Sequence, residues 1–403
     1  MSTEMQLSWN IALDILKPKK IDLEHGLELH RNSLVIDGYG FTPVAALRSE
    51  NLVKRFESAA PGEVNELATE ARLTRCLTDD EEKQEFEEAW LQSGVSCVIA
   101  NSGEEGQSPL RMLKRIAYRT ELLDKNKKFF CKALCASDIE EAKKNGKQAL
   151  MLTTNGVPLK EAWDSVGEEL SDINIFYKLG VRMMHLTYNR RNMLGDGCCE
   201  TSDAELSDFG RAAIRVMNET GVLVDVAHSG QRTSADAART SGRPVVASHS
   251  SCHTINAHPR ARTDETIRAI VDSGGYVGIC CIPCFLGGKG DITSFLDHID
   301  YLAKKFGTDH VAIGTDRTHT SSLSDDERIT GILKRTRMPQ RFENFWRPGE
   351  ELFEKKWNED RQLRSLAWTN FPLFTVGLVQ RGYTDNDIQK ILGGNILRVL
   401  NSL

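Results

Sequence analysis

Two neighbouring stretches of the chain decide the fold, Gly221-Val-Leu-Val-Asp-Val-Ala-His228 and Arg243-Pro-Val-Val-Ala-Ser-His249. Each is a short apolar run that ends in a histidine. Apolar runs without alternation are typical of parallel strands whose two faces are both covered. Parallel strands end at the same edge of a sheet, so we expect the two histidines to stand side by side, roughly 5 Å apart. The stretches therefore predict an α/β fold with a polar site at the carboxyl edge of its sheet.

The same alternation of apolar runs and helical stretches extends over most of the chain. We interpret eight runs as strands, at residues 34–37, 96–100, 149–153, 181–187, 222–227, 245–248, 276–282 and 311–314, with a possible shorter strand at 129–133. Eight strand–helix repeats are the number found in a (β/α)8 TIM barrel. An open, doubly wound sheet is the alternative. The first run is not followed by a Gly-x-Gly-x-x-Gly turn, which argues against a dinucleotide-binding version of that sheet.

Local signals mark several helix ends. Thr78-Asp-Asp-Glu81 and Ser137-Asp-Ile-Glu140 have the pattern of a capping box, which predicts that a helix begins at each. Gly146 is expected to end the second of these helices. Thr384 predicts the start of a further helix near the carboxyl terminus.

These elements fit one TIM-barrel domain over residues 1–403. Residues 1–32 are predicted to form a helical N-terminal extension, and 33–316 to hold the strands and helices of the barrel. The charged, Trp-containing stretch 317–370 follows the last strand, so we expect it to lie as an insertion over the barrel mouth. Residues 371–403 are predicted to be C-terminal helices.

Composition excludes several classes of protein. The net charge is −6, from 51 basic and 57 acidic residues, whereas a nucleic-acid binder needs a basic footprint. No apolar run is long enough to span a membrane, and we predict no signal peptide at the N-terminus. The 10 cysteines are scattered and suit reduced, buried thiols. We therefore expect a cytoplasmic protein that binds neither nucleic acid nor membrane.

Polar residues gather at the predicted strand ends. His228 and His249 end two consecutive strands, and Asp316 closes the last one. Asn155 and Tyr188 follow two further strands. In a barrel these ends converge on the face where active sites are built. Two neighbouring imidazoles suit one metal ion, so a metal-assisted active site is the leading interpretation.

Several longer motifs resemble the membrane (renal) dipeptidase family. The resemblance covers most of the chain and implies a TIM-barrel metallohydrolase, typically homodimeric, that cleaves dipeptides with two zinc ions bridged by a glutamate. The motifs that carry it are Gly221-Val-Leu-Val-Asp-Val-Ala-His228-Ser, Arg243-Pro-Val-Val-Ala-Ser-His249-Ser-Ser, His258-Pro-Arg260, Thr263-Asp-Glu-Thr-Ile-Arg-Ala-Ile270, Leu186-Thr-Tyr188-Asn-Arg-Arg-Asn192-Met-Leu-Gly-Asp-Gly197-Cys, Ile313-Gly-Thr-Asp316, Arg381-Gly-Tyr-Thr-Asp-Asn-Asp-Ile388 and Ile391-Leu-Gly-Gly-Asn395-Ile-Leu-Arg398.

The resemblance assigns roles to four matching residues. His228 and His249 match the two imidazole ligands of one zinc ion. Asp316 matches the acidic residue that handles the proton of the attacking water or of the leaving amine. Arg260 matches the arginine that receives the substrate carboxylate, a role that suits its planar fork of donors.

The chain departs from the family pattern at three places. The family reads Asp-Gly-His-x-Asp after the first strand, whereas this chain reads Asp37-Gly-Tyr39-Gly-Phe41, which lacks both ligands of the other zinc. Asn155 stands where the bridging glutamate is expected, and Tyr188 replaces a substrate-contacting histidine. Some divergent bacterial members look altered at the same places, so we interpret the chain as one of a specialised subgroup.

The function predicted on this basis is hydrolysis of a dipeptide or related small amide that bears a carboxylate. At most one zinc ion is expected, held by His228 and His249 with Asp316 or Asn155, and a metal-free site is the alternative. Arg260, Tyr188 and Asn155 are the predicted substrate contacts, and Asp316 the predicted catalytic residue.

Two further functions stay open. One is a non-hydrolytic acid/base enzyme (an isomerase, tautomerase or lyase) that uses the same histidines with Asp316, Tyr188 and His319. The other is a binding protein without catalysis. His319 either replaces a lost ligand or is an ordinary loop residue. A homodimer is implied by the family resemblance alone.

Overall fold

The computed structural model describes residues 2–103, 108–162, 165–336 and 344–403. Residues 337–343 of the predicted insertion lie outside these ranges. In chain order the strands are β1 (Ile36–Gly40), β2 (Cys97–Asn101), β3 (Phe130–Lys132), β4 (Gln148–Thr154), β5 (Val181–His185), β6 (Leu223–Asp225), β7 (Val245–Cys252), β8 (Ala261–Arg262), β9 (Val277–Ile279) and β10 (Val311–Ile313).

The strands form the predicted barrel. They are parallel and lie in the order β1-β2-β4-β5-β6-β7-β9-β10, while β3 pairs with β4 and β8 pairs with β7 outside this path. The eight strands on the path coincide with the eight apolar runs, and β3 coincides with the possible ninth, so the (β/α)8 fold is confirmed. The two-residue strand β8 was not predicted, because a segment so short shows no periodicity.

Helices surround the barrel. In the described part of the chain they are α1 (Thr3–Leu16), α2 (Lys20–Asn32), α3 (Glu50–Ser58), α4 (Val64–Thr74), α5 (Asp80–Ser93), α6 (Pro109–Lys125), α7 (Ala136–Lys144), α8 (Val166–Leu179), α9 (Asp208–Thr220), α10 (Gln231–Thr240), α11 (Asp264–Asp272), α12 (Pro283–Leu286), α13 (Ile292–Phe306), α14 (Glu327–Arg335), α15 (Asp360–Ser365), α16 (Phe371–Gln380), α17 (Asp385–Gln389) and α18 (Asn395–Leu400). Within these ranges, no helix combines the length and apolar character that crossing a membrane requires.

Two of the predicted helix caps are wrong by one or two residues. Asp79, not Thr78, caps α5, since its side chain accepts the backbone N–H of Glu82. Cys135 caps α7 instead of Ser137, because the carboxylate of Asp138 reaches back to the backbone N–H of Cys135. The Thr384 cap of α17 is confirmed.

Alternation along the strands divides the core into two layers. Met183 and Leu223 belong to the cluster inside the barrel. Met184 and Val224 belong to the larger cluster between the barrel and its helices. Successive side chains of a strand point to opposite faces. The inward face of β5 and β6 therefore continues from Met183 and Leu223 to the residues two positions further on.

The barrel closes between β10 and β1 through residues beside the strands. The buried Asp37 carboxylate accepts the backbone N–H of Thr315 at 2.8 Å and its hydroxyl at 2.6 Å. It also accepts the indole N–H of Trp368 at 3.1 Å. The backbone N–H of Asp316 donates to the carbonyl of Tyr39 at 3.0 Å. These bonds bring the ends of the first and last strands together at the carboxyl face.

Candidate active site

His228 and His249 meet at the carboxyl end of the barrel. His228 follows β6 by three residues, and His249 lies within β7, which extends further than predicted. Their ring centroids are 4.9 Å apart, as expected for neighbouring strands. Their Nε2 atoms lie 3.0 Å from each other. Burial, together with the nearby charge of Arg260, holds the pKa of both rings well below the usual value, so both are neutral.

Asn189 fixes the proton of His228. Its side-chain oxygen lies 2.7 Å from Nδ1 of His228, and because an amide oxygen only accepts, Nδ1 carries the proton. Nε2 of His228 therefore presents a lone pair. The same oxygen accepts the thiol of Cys198 at 3.2 Å. Asn189 adopts a left-handed backbone (φ 57°), a conformation that asparagine tolerates better than most residues.

The ring of His249 is held on two sides. Its Nδ1 lies 2.8 Å from the hydroxyl of Ser248, and its face stacks on the ring of Tyr39, with 3.8 Å between the centroids. Tyr39 is itself buried, and its hydroxyl donates to the side-chain oxygen of Asn155 at 2.6 Å. The position where the family pattern has a histidine thus holds a ring that orients His249.

A third buried imidazole, that of His185 at the end of β5, joins this pair. One ring nitrogen from each of His185, His228 and His249 lies within 4.8 Å of the others. His185 Nδ1 lies 2.8 Å from the carbonyl oxygen of Thr154, and its Nε2 lies 2.9 Å from the Asp225 carboxylate. Neither His185 nor Asp225 was predicted as a site residue, because both lie within apolar runs and not after them.

Asp225 is the last residue of β6 and is fully buried. Its Oδ1 accepts the backbone N–H of Ala227 at 2.9 Å and that of Ser248 at 3.1 Å. Burial alone would raise the pKa of Asp225, but the neighbouring His185 and the bonds from Ser248 outweigh it and lower the pKa. A fixed negative charge therefore stands beside the imidazole cluster.

Arg260 brings a buried cation to the same place. Its Nη2 donates to the backbone carbonyl of His249 at 3.1 Å. Its Nε and Nη1 are buried, and neither makes a hydrogen bond to any described residue. A buried guanidinium with two unused donors is costly unless an anion binds it. A group of this kind can bind an anion.

Tyr188 and Asp316 border the cluster. The ring of Tyr188 stacks on His228 with 4.1 Å between centroids, and Phe345 packs edge-on against Tyr188 at 5.4 Å. Asp316 is half-buried, has a left-handed backbone (φ 53°), and is tied to Tyr39 through its backbone N–H. Non-glycine residues with positive φ are uncommon, and this strain concentrates at functional sites.

Residues of the predicted insertion are fastened beside this cluster. Arg190 Nη2 donates to the backbone carbonyl of Trp346. Arg347 Nε donates to the carbonyl of Cys199 at 2.9 Å. Glu350 lies 2.9 Å from Nε2 of His258. Trp346 is buried, and these contacts hold the segment against the loops that follow β5 and β7.

His319 is placed elsewhere. Its Nε2 lies 2.9 Å from the carboxylate of Glu85, on α5. The hydroxyls of Ser321 and Ser322 bond to the same carboxylate. The structure therefore gives His319 a partner of its own, 234 residues away in the sequence.

Comparisons with known proteins agree with this architecture. The model of membrane dipeptidase (peptidase family M19) matches residues 24–335. The chain is 25% identical over 279 residues to Dipeptidase tcpJ of Claviceps purpurea, an alignment that covers 66% of this chain and 54% of that protein. The chain thus spans about half the length of this curated relative.

Two solved structures share the fold. An amidohydrolase from Pseudomonas aeruginosa superposes with a TM-score of 0.64 at 23% identity, covering 94% of this chain and 98% of its own. The probable dipeptidase PvdM from the same organism superposes with a TM-score of 0.65 at 18% identity, covering 95% and 98% of the two chains.

Proposed function

Since this chain belongs to the membrane dipeptidase family, peptidase family M19, we propose that it hydrolyses a dipeptide or a related small amide that carries a carboxylate. The proposal depends above all on one observation. The converging Nε2 atoms of His228 and His249, 3.0 Å apart, lie beside the buried Arg260 with its two unused donors. A metal-binding pair next to an anion-binding group is what such a substrate requires.

We propose that at most one zinc ion is bound, with His228 and His249 among its ligands. Both rings are neutral, and Nε2 of His228 presents a lone pair, so the donors suit zinc. When bound, zinc supplies Lewis acidity that lowers the pKa of a water molecule to about 7 and polarises the substrate carbonyl. A second ion is not proposed, since Tyr39 and Phe41 replace its ligands and the Asn155 oxygen already accepts the Tyr39 hydroxyl.

The remaining side chains bind the substrate and move its protons. Arg260 binds the substrate carboxylate through Nε and Nη1 and so orients the scissile amide. The rings of Tyr188 and Phe345 line the substrate beside His228 and exclude water. Asp316 accepts the proton of the attacking water and returns it to the leaving amine. Asn155 contacts the substrate through the part of its amide that Tyr39 does not use.

One observation favours the alternative that the site works without metal. The distance between the two Nε2 atoms also fits an N–H···N hydrogen bond. That bond forms if the Ser248 hydroxyl donates to Nδ1 of His249, which places the proton of this ring on Nε2. In that state the histidines and Asp316 would perform acid/base chemistry on an anionic substrate, as in an isomerase or lyase.

Metal analysis of the untagged protein, purified without chelator, decides between the two. We expect about one zinc per chain in the wild type, loss of this zinc in the His228→Ala/His249→Ala double variant, and hydrolysis of some member of a panel of dipeptides and N-acyl amino acids. His319→Ala is the matched control and should keep its metal. Folded wild type without metal would favour the acid/base alternative, and two ions per chain would contradict the single-ion site.

Two further properties are proposed from the family resemblance and the composition. We propose that the protein is a homodimer and that it is cytoplasmic. Sedimentation equilibrium and cell fractionation test them, and a monomer or a membrane-bound fraction would contradict them.

A further inference from the structure

We infer that His185 is the third imidazole ligand of the metal centre, and that Asp225 is the residue that positions it and balances its charge. The inference rests on the proposed function only in that both concern the same metal centre. It assigns the third ligand to His185 in place of Asp316 or Asn155. It changes what kind of centre this chain has. Three neutral nitrogen ligands replace the carboxylate-bridged arrangement that the family resemblance implies.

The three imidazole rings lie close together. One ring nitrogen from each of His185, His228 and His249 lies within 4.8 Å of the others, and all three rings are buried. The His185 ring lies 5.3 Å from that of His228 and 5.4 Å from that of His249, centroid to centroid. It meets both at steep angles, 79° and 80°. Rings so arranged do not stack on one another.

Hydrogen bonds locate one ring proton on His185 and one on His228. Nδ1 of His185 faces the carbonyl oxygen of Thr154, which only accepts, so Nδ1 carries the proton. Nδ1 of His228 carries its proton for the same reason, because it faces the Asn189 oxygen. A ring that carries only this proton presents its lone pair on Nε2. An imidazole whose Nδ1–H bonds to a protein oxygen is the usual state of a histidine that ligates metal through Nε2.

Two neighbouring buried atoms, one on His185 and one on Asp225, lack a well-directed hydrogen bond. Nε2 of His185 and Oδ2 of Asp225 are buried and lie 2.9 Å apart, yet neither makes a well-directed hydrogen bond within the described residues. Two electron-rich atoms held this close, away from water, require a cation or a shared proton. A metal ion at the three imidazoles supplies the cation. The Asp225 charge, held through Oδ1 by two backbone N–H groups, partly neutralises it.

A second group of potential ligands shows the opposite pattern. One ligand atom from each of His258, Cys284 and Glu350 also lies within 4.8 Å of the others. However, the backbone N–H of Arg260 donates to Nδ1 of His258 at 3.1 Å, so Nε2 keeps the proton and donates it to Glu350 at 2.9 Å. Nε2 of His258 therefore carries a proton at the position where a metal ligand would need a lone pair. Both groups bring potential ligands close together, but Nε2 of His258 has a hydrogen-bond partner, whereas Nε2 of His185 makes no well-directed hydrogen bond to a described residue.

Three imidazoles with a nearby carboxylate favour a borderline ion such as Zn²⁺ or Co²⁺ over Mg²⁺ or Ca²⁺, which prefer oxygen ligands. We would measure the affinity for Zn²⁺ by competition with a chromophoric chelator. We expect His185→Gln to weaken binding by at least 100-fold and Asp225→Asn by about 10- to 100-fold, the range found for residues that support a ligand. His319→Gln serves as the matched control, with circular dichroism to confirm folding.

A measurement on the unsubstituted protein keeps the inference testable if the variants do not fold. In the Co²⁺-loaded protein, proton NMR should show three strongly shifted, exchangeable imidazole N–H signals, one for each ligating ring. Two signals, or unchanged Zn²⁺ affinity in His185→Gln, would overturn the role of His185 while leaving the loss of metal in His228→Ala/His249→Ala intact. Wild type that binds neither ion would overturn the inference too, with His185 then a protonated partner of Asp225.

Discussion

Two halves of the barrel mouth differ in whether their buried polar groups have hydrogen-bond partners. The first half lies at the carboxyl ends of β1 and β4, and the second half lies at the carboxyl ends of β5, β6 and β7. In the first half, the hydroxyl of Tyr39 and the oxygen of Asn155 bond to each other at 2.6 Å. In the second half, Nε2 of His185, Oδ2 of Asp225 and two nitrogens of Arg260 are buried without a well-directed hydrogen bond in the described part of the chain.

The difference explains which half binds ligands. A buried polar group that already has a partner gains little from a ligand, because the ligand must first displace that partner. A buried group without one has lost its hydration and regains the interaction when an ion or substrate binds. We therefore propose that the half with satisfied groups supports its neighbour through the stacking of Tyr39 on His249, while the other half supplies the metal ligands and Arg260.

The largest expected effect comes from giving the first half metal ligands of its own. The combined substitutions Tyr39→His, Phe41→Asp and Asn155→Glu introduce the ligand types that the family pattern has at these places. We expect the metal content to rise from one to two ions per chain, since a bridging carboxylate and two new ligands become available. Metal analysis checks this, with Asn155→Glu alone as the control. A triple variant that folds and still binds one ion would show that more than these ligands is missing.

The pH dependence of the free energy of unfolding tests the buried Asp37 carboxyl of β1, which lies in the first half. Burial, opposed by the bonds from Thr315 and Trp368, raises the pKa of Asp37 to about 7 in the folded protein. The unfolded carboxyl titrates near 3.9. Between these values the folded state binds the extra proton, so this contribution to the free energy of unfolding is full below about pH 4 and is lost as the pH rises to about 7. Urea titrations across this range should show the decline.

Asp37→Asn is the comparison that isolates this carboxyl from all other titrating groups. The difference in unfolding free energy between wild type and variant should change between about pH 4 and pH 7 and stay constant above that. A difference that is independent of pH would show that Asp37 is ionised throughout.

Removal of Arg260, the proposed anion-binding group of the second half, should have a smaller effect. Arg260→Ala should raise KM for a carboxylate-bearing substrate by about 30- to 150-fold, which corresponds to the loss of a charge-assisted bond of about 2–3 kcal/mol. Steady-state kinetics check this, with Arg260→Lys as a variant that keeps the charge without the fork of donors. An unchanged KM would remove Arg260 from the substrate site.

The smallest effect concerns a single hydroxyl. Tyr39→Phe keeps the ring that stacks on His249 but leaves the oxygen of Asn155 buried without its donor, so the free energy of unfolding should fall by about 1–3 kcal/mol. Tyr276→Phe is the matched control, because the Tyr276 hydroxyl is buried and has no partner among the described residues. It should cost less than Tyr39→Phe. Equal effects would mean that the bond to Asn155 adds no stability.

How far the sequence predicts this molecule differs between the barrel and the site. The strands were predictable because buried parallel strands are continuous apolar runs, and that signal is local. The extents assigned to the extension, the barrel, the insertion and the C-terminal helices stay predictions. Two helix caps were displaced by one or two residues, because cap residues occur in clusters and tertiary contacts decide among them.

The residues of the site follow from the sequence only in part. His228 and His249 are recognisable because they end apolar runs. His185 and Asp225 lie within strands, and the signal that could have found them is the alternation that places them on the inward face with Met183 and Leu223. The partner of His319 could not be predicted, since Glu85 is brought to it only by the closed barrel.

The bonds at Asp37 set an order for the folding of the chain. Its donors on Thr315 and Trp368 lie 278 and 331 residues later in the sequence. A chain growing on the ribosome therefore makes its first strand long before the groups that allow the carboxylate of that strand to be buried. We therefore expect Asp37 to stay in water, and the sheet to stay open at its edges, until Trp368 has been made. Closure would then be a late event, and a protein cut short before Trp368 should depend on chaperones to stay soluble.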